Sequence, residues 1–306
     1  MASTINTNVT SLIAQRNLSN SQNSLATTMA RLSSGLRVNS AKDDAAGLAI
    51  AERMSSQVRG MNVAVRNAND GISMAQTAEG ALGKSSDILQ RMRELAVQAA
   101  NASNSDSDKI SLDNEFEQLS LEVQRVYSST TYNSRAILAA DAGEQIFQVG
   151  ANTTADNQIT IETADMAAAT EITSVTGAAA VTAGPGLDGI AGNADDVAAV
   201  AAVPRAVITG DAADILEVID DIDAAINFVS SERSVLGAAQ SRFENAISYL
   251  QISSENQSAS RSRIMDADYA QETAALSRAQ ILSQAGSAML AQANQQPQSV
   301  LALLRG

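Results

Sequence analysis

The chain has 306 residues and a formal net charge of −14, and it contains neither cysteine nor histidine. These absences remove disulfides, thiolate nucleophiles, the Cys and His metal ligands, and the side chain that most often serves as general base near neutral pH. The acidity argues against binding to nucleic acid or to an anionic membrane surface, which calls for clustered Lys and Arg; the lysines are Lys42, Lys84 and Lys109 alone.

Aromatic residues make up 3% of the chain and hydrophobic residues 45%. Without aromatic bulk, packing falls to Ala, Leu, Val and Ile, which suits thin helical layers better than a thick core. The N-terminal stretch MASTINTNVTSLIAQRN has no basic region followed by an apolar run, so no secretory signal is expected there. No run of eighteen apolar residues predicts a membrane span, and no membrane insertion is expected.

The first segment carries Ile5, Val9 and Leu12, then Leu18, Leu25 and Leu32 at seven-residue spacing. Met29 and Leu36, four residues after Leu25 and Leu32, supply the expected second row of a heptad seam. Gly35 predicts the helix stop. A polar joint follows, in which Ser40 and Asp43 have the spacing of a capping box.

A long helical pattern then runs to about Asn101. Met54, Met61, Ala68, Ala75, Leu82, Leu89 and Ala96 recur every seven residues, with Val58, Val65 and Ile72 as a second row. Such a helix would be about 85 Å long at 1.5 Å per residue. Gly60, Gly71, Gly80 and Gly83 within it weaken it by about 1 kcal/mol each and speak against one unbroken helix. NASNSDSD (101–108) is a polar turn, and Ser105 with the acids after it predicts the start of a shorter helix carrying Ile110, Leu112, Phe116, Leu119, Val123 and Val126.

Over 144–163 the period changes to two, with Ile146/Gln148 and Ile159/Ile161 flanking an Asn- and Gly-containing turn, which predicts a β-hairpin. Residues 165–205 are rich in Ala, Thr, Val, Gly and Asp and hold Pro185 and Pro204, so an irregular insertion is expected. The last third is helical again. Ile215, Ile222, Val229, Leu236, Phe243, Leu250 and Ile264 keep a seven-residue spacing that misses only at Gln257, and Leu282, Met289 and Leu303 lie on a seven-residue spacing of their own in an Ala-rich segment after Asp266.

Each amphipathic helix must bury its stripe. The economical arrangement pairs the N-terminal helices with the C-terminal ones. The expected fold is mainly α with a small β part: a long antiparallel helical bundle or coiled coil built from both ends of the chain, one β-hairpin region and a short outer insertion. The rod core seam is Met54, Met61, Leu82, Leu89, Leu236, Phe243 and Leu250. The terminal seams are narrow, and Ser, Asn, Gln and Ala surround them. Alone they bury little against the entropy of ordering, so they are expected to be loose in a monomer and to order against other copies.

Motifs with chemical content are few. Gly184, Gly186 and Gly189 match G-x-G-x-x-G, but no strand precedes and no helix follows them. Asp188, Asn193, Asp195 and Asp196 are oxygen ligands at a spacing that fits no EF-hand, and read as a solvated acidic turn. The pairs Asp43/Asp44, Asp195/Asp196 and Asp220/Asp221 are sequence neighbours that do not face each other on a helix, so no glycosidase-like pair is expected. Arg31, Arg37, Asp43 and Asp44 are expected to make polar contacts at the joint between domains or subunits. No catalytic, cofactor-binding or metal residues are expected.

Several long motifs resemble bacterial flagellin: LSSGLRVNSAKDDAAGLAIAERM (32–54), LQRMRELAVQAAN (89–101), FQVGAN (147–152), SRIMDADYAQETA (262–274) and SRAQILSQAGSAMLAQANQQPQSVLALL (277–304). The resemblance covers about 1–163 and 208–306. It implies a structural subunit, not an enzyme, that self-assembles into the helical filament of swimming bacteria, is exported unfolded and adds at the filament tip. The alternative is a flagellin-like hook–filament junction protein. Residues 1–40 and 267–306 would form the inner-tube domain, 41–164 and 208–266 the outer-tube domain with its hairpin, and 165–207 the variable surface insertion. The polymerisation seam would be Leu18, Leu25, Leu32, Leu282, Met289 and Leu303. The implied partners are further copies of the chain, the flagellar export apparatus and an export chaperone, the filament cap and hook-junction proteins, and a host Toll-like receptor, whose contact positions match Arg91, Leu95 and Glu115. No cofactor is implied.

Overall fold

The structure is a computed structural model that describes residues 8–177 and 203–305, with side chains up to Gln295. Helices α1 (Val9–Ser34), α2 (Ala45–Ala99) and α3 (Asp106–Ser129) are followed by strands β1 (Thr131–Tyr132), β2 (Arg135–Ala136), β3 (Gly143–Gln148) and β4 (Gln158–Thr163). Then come α4 (Thr170–Thr176), α5 (Ala212–Met265) and α6 (Tyr269–Arg305). The chain divides into two compact units, Met1–Arg59 with Ser253–Gly306, and Gly60–Ile252.

Short polar side chains set the helix ends. The Asn8 side chain accepts from Ser11 N–H (3.1 Å) at the start of α1. Gly35, at φ +69°, ends α1 by donating its N–H to Arg31 O (2.8 Å); that left-handed position is the reason for a glycine there. Ser105 and Asp108 form a reciprocal capping box on α3. Ser40 and Asp43 instead close a turn ahead of α2, with Ser40 N–H and Oγ both donating to Asp43 Oδ2 at 2.9 Å. The cap of α2 is Asp44, whose Oδ1 accepts from Gly47 N–H (2.8 Å).

In the unit Gly60–Ile252 the seven-residue rows are the core. Met61, Ala68, Ala75, Leu82, Leu89 and Ala96 are buried on α2, as are Ile215, Ile222, Val229, Leu236, Phe243 and Leu250 on α5. Helix α2 is unbroken despite its glycines. At Gly71 a β-carbon would lie 2.7 Å from Phe243 Cζ and about equally close to two more ring atoms, so the missing side chain is the slot for that ring. No comparable contact surrounds Gly80 or Gly83.

Strands β3 and β4 pair antiparallel, with Gln145 opposite Ile161 and Phe147 opposite Ile159. Phe147 packs edge-on against Phe243, ring centroids 5.5 Å apart. Ile146 is exposed, so the inward face of β3 is the one carrying Phe147. A second, two-residue hairpin, β1–β2, turns through Asn133 and Ser134, both at positive φ.

Residues 165–177, expected to begin the irregular insertion, are packed. Met166, Ile172 and Val175 are buried, and α4 lies against α3. The chain returns beside its point of departure: Ala206 N–H donates to Val175 O (3.2 Å). Arg205 Nη2 bonds Asp113 Oδ2 at 2.7 Å, and Ile208 N–H donates to the same carboxylate. Gln124 Nε2 donates to the carbonyls of Thr176 and Gly177.

In the other unit, α1 packs along α6. A one-pair antiparallel bridge joins Leu36 and Asp266, flanked by Arg37 N–H to Met265 O (2.6 Å) and Ala267 N–H to Gly35 O (2.9 Å). Val38, Ala51 and Met265 form a small apolar cluster there.

Candidate assembly surface

A few polar bonds fix the register of the terminal pair. Asn8 Nδ2 donates to Ala293 O (2.7 Å), Ser11 Oγ to Asn294 Oδ1 (2.8 Å), and Arg31 pairs with Glu272 at 3.4 Å, so the two helices run antiparallel in one register. Along α1 the residues withdrawn from solvent are Ser11, Ala14, Leu18, Ser21, Leu25, Thr28 and Leu32, with Arg31 beside the last. Along α6 they include Glu272, Leu276, Ala279, Ser283, Gly286, Leu290 and Ala293. Both sets follow a heptad. The expected row Leu18, Leu25, Leu32 therefore faces α6, half-buried. The second row differs from expectation: it is Ala14, Ser21 and Thr28, and Met29 points outward. Small residues here let the helices approach closely; a β-carbon at Gly286 would sit 3.3 Å from Leu18 Cδ1.

Besides the half-buried leucines of the seam (Leu18, Leu25, Leu32, Leu276 and Leu290), a second set of large apolar residues lies outside it. Ile281 is 66% exposed, Leu282 52%, Met289 63% and Met29 55%, and Val9, Leu12 and Ile13 are exposed too. Leu282 and Met289 thus belong to a face of α6 different from the one that meets α1; the side chain of Leu303 lies outside the described residues. An isolated helical hairpin normally turns its large apolar residues inward. Here one leucine row of each helix faces inward, and a further apolar stripe on each stays exposed within the described chain.

The joint residues are placed as follows. Arg31 and Glu272 form the half-buried pair already described. Arg37 Nη2 donates to Ile264 O (2.8 Å). Asp43 accepts from Ser40 Oγ, Ser40 N–H and Asn39 N–H, and these bonds hold its carboxyl below the usual carboxylate range, with a smaller contribution from the Arg31 charge. Asp44 caps α2. The four residues thus tie α1 to α6, the joint to the end of α5, and the joint to the start of α2. Asp268, which the heptads did not mark, caps α6 through Ala270 and Gln271 N–H.

Of the rod core seam, Met54 is half-buried and the rest buried. Arg91 Nη2 bonds Glu115 Oε1 at 2.8 Å, and Nη1 bonds Glu94 at 2.9 Å. Both Arg91 and Glu115 are exposed, whereas Leu95 is 1% exposed and packs within the core. The Gly184/Gly186/Gly189 motif and the Asp188, Asn193, Asp195, Asp196 cluster lie outside the described residues. Among the described residues no group of three or more acids is placed to hold a metal ion. No described helix is long and apolar enough to cross a membrane.

Comparison with known proteins bears on this surface. The family model for the bacterial flagellin N-terminal helical region matches residues 5–142, and that for the C-terminal helical region matches 219–304. Flagellin D of Vibrio anguillarum is 39% identical over 376 aligned positions, covering 99% of this chain and all of that one. A flagellin of Halalkalibacterium halodurans is 42% identical over 301, covering 98% and 99%. The crystal structure of Bacillus cereus flagellin covers 60% of this chain and 88% of its own, at 26% identity and a TM-score of 0.45. With both helical ends matched by the family models, and relatives near 40% identity along the whole length, the chain belongs to the bacterial flagellin family.

Proposed function

We infer that this chain is the structural subunit of an extracellular flagellar filament used for swimming, and that it polymerises through the outward stripes of α1 and α6. One observation carries the second part: the terminal pair alternates leucines with small residues in its own seam and leaves Leu12, Ile13, Met29, Ile281, Leu282 and Met289 turned to solvent. Burying a Leu, Ile or Met side chain stabilises by about 1.5–3 kcal/mol. A few such contacts per neighbour, repeated over several neighbours, hold a subunit whose single contacts are weak. The net charge of −14 opposes this association, and salt relieves the repulsion.

The family pattern supports further assignments. Residues 1–40 and 267–306 belong to the inner-tube domain, and 41–164 with 208–266 to the outer-tube domain. The subunit passes the export apparatus with a chaperone on its C-terminal segment and adds beneath a cap protein, next to hook-junction proteins at the filament base. A Toll-like receptor contact would involve Arg91 and Glu115 directly, with Leu95 acting from the core by holding α2 in place. The test is to seed purified subunit with filament fragments and follow elongation by electron microscopy. Full-length protein is expected to elongate, and protein lacking residues 267–306 to remain monomeric. Elongation by the truncated protein would overturn the assignment.

A further inference from the structure

The methionines fall into two groups. Met61, Met74, Met92, Met166 and Met265 are buried, and Met54 is half-buried. Met29 and Met289 are the exposed ones among the described residues. Both lie on the terminal pair, Met29 on α1 and Met289 on α6, on faces turned away from the seam between those helices. The register set by Ser11–Asn294 and Arg31–Glu272 places Met289 level with the first turns of α1, and Met29 near its other end. The chain has no Cys, Trp or His. Among the described residues the two exposed thioethers are therefore the most oxidisable accessible groups.

We propose that Met29 and Met289 make filament growth sensitive to peroxide-class oxidants, acting on the unassembled subunit. The sulfur lone pair attacks the distal peroxide oxygen; the S–O bond forms and the O–O bond breaks. Sulfur is oxidised by two electrons to the sulfoxide, and hydrogen peroxide is reduced to water. No other reductant or proton source is required. A flexible apolar side chain becomes a polar one with a strong acceptor oxygen. On a stripe that must be dried to dock, that oxygen loses its water without gaining a donor. Once docked, the same sulfurs are covered. The inference rests on the assignment of the outward stripes to assembly.

The experiment treats full-length monomer with hydrogen peroxide, maps sulfoxides by peptide mass spectrometry, and measures elongation from untreated seeds. Met29 and Met289 are expected to oxidise at least tenfold faster than Met61, Met74, Met92, Met166 and Met265. Elongation is expected to slow at least fivefold with the thermal unfolding of Gly60–Ile252 unchanged. Methionine sulfoxide reductases for both epimers should restore the rate. In the double variant M29L/M289L the ratio of treated to untreated rate should be close to one, whatever its untreated rate. Normal elongation by subunits carrying both sulfoxides would overturn the proposal, as would an equal peroxide loss in M29L/M289L. Failure of untreated wild-type protein to elongate would instead sink the assembly assignment beneath it.

Discussion

Leu18 packs so closely on Gly286 that a β-carbon added there would lie 3.3 Å from Leu18 Cδ1. That contact sets the spacing of α1 and α6. Gly286→Ala trades a gain in helix propensity of about 1 kcal/mol against a few tenths of an ångström of movement by a flexible leucine tip, so it should leave elongation close to wild type. Gly286→Leu should force the helices apart and abolish seeded elongation. Circular dichroism and the seeding assay together check both variants.

Gly71 and Phe243 make the same kind of contact in the other unit, but against a rigid ring. Gly71→Ala should destabilise the Gly60–Ile252 unit by about 1–3 kcal/mol through overpacking, despite alanine's better helix propensity. Phe243→Ala should cost about 3–5 kcal/mol. Denaturant titration of the full chain reads both, and a stabilised Gly71→Ala would show that the ring is not held where the structure places it.

Asp113 holds the chain where it returns at Arg205 and Ile208. Burial raises its carboxyl, but the Arg205 guanidinium and the Ile208 N–H outweigh burial, so it is held below the usual carboxylate range. An acid depressed by folding contributes stability that is fully present above its unfolded value, near 3.9, and is lost as pH falls through its lower folded value. Asp113→Asn should therefore cost about 2 kcal/mol at neutral pH. Its deficit should shrink as the pH falls below about 4. A deficit that stays constant from pH 7 to pH 2 would contradict the ion-pair origin.

The α1–α6 seam, with its small second rows, offers little burial to offset ordering entropy. Amides of α1 should exchange within seconds in a dilute monomer and be strongly protected in filaments, while those of α2 from Met61 to Ala96 are protected in both. Hydrogen–deuterium exchange with peptide resolution measures this, and equal protection of α1 in monomer and filament would contradict it.

The long helices were legible because one face of each serves a single purpose. Every seventh residue of α2 from Met61 and of α5 to Leu250 is buried, and apolar spacing alone finds such rows. The terminal helices have two apolar faces with different purposes, and hydrophobicity ranks them wrongly. Met29, Leu282 and Met289 are more apolar than Thr28, Ser283 and Gly286, yet the latter line the contact within the chain. In strand β3 Ile146 and Phe147 are adjacent apolar residues, and packing on the ring of Phe243 decides that Phe147 faces inward. The β1–β2 hairpin is too short for any period to show, and Asn133-Ser134 was its one signal. The receptor-type positions Arg91, Leu95 and Glu115 came from resemblance alone, which carries no information on burial and so could not separate buried Leu95 from its exposed companions.

The most direct measurement is seeded elongation by Leu282→Asp, set beside its unfolding curve. Leu282 is 52% exposed, so the charge should leave the melting of the Gly60–Ile252 unit and the helical content of the monomer unchanged while elongation stops. Filament growth by Leu282→Asp at the wild-type rate would contradict assembly through the outward stripe of α6.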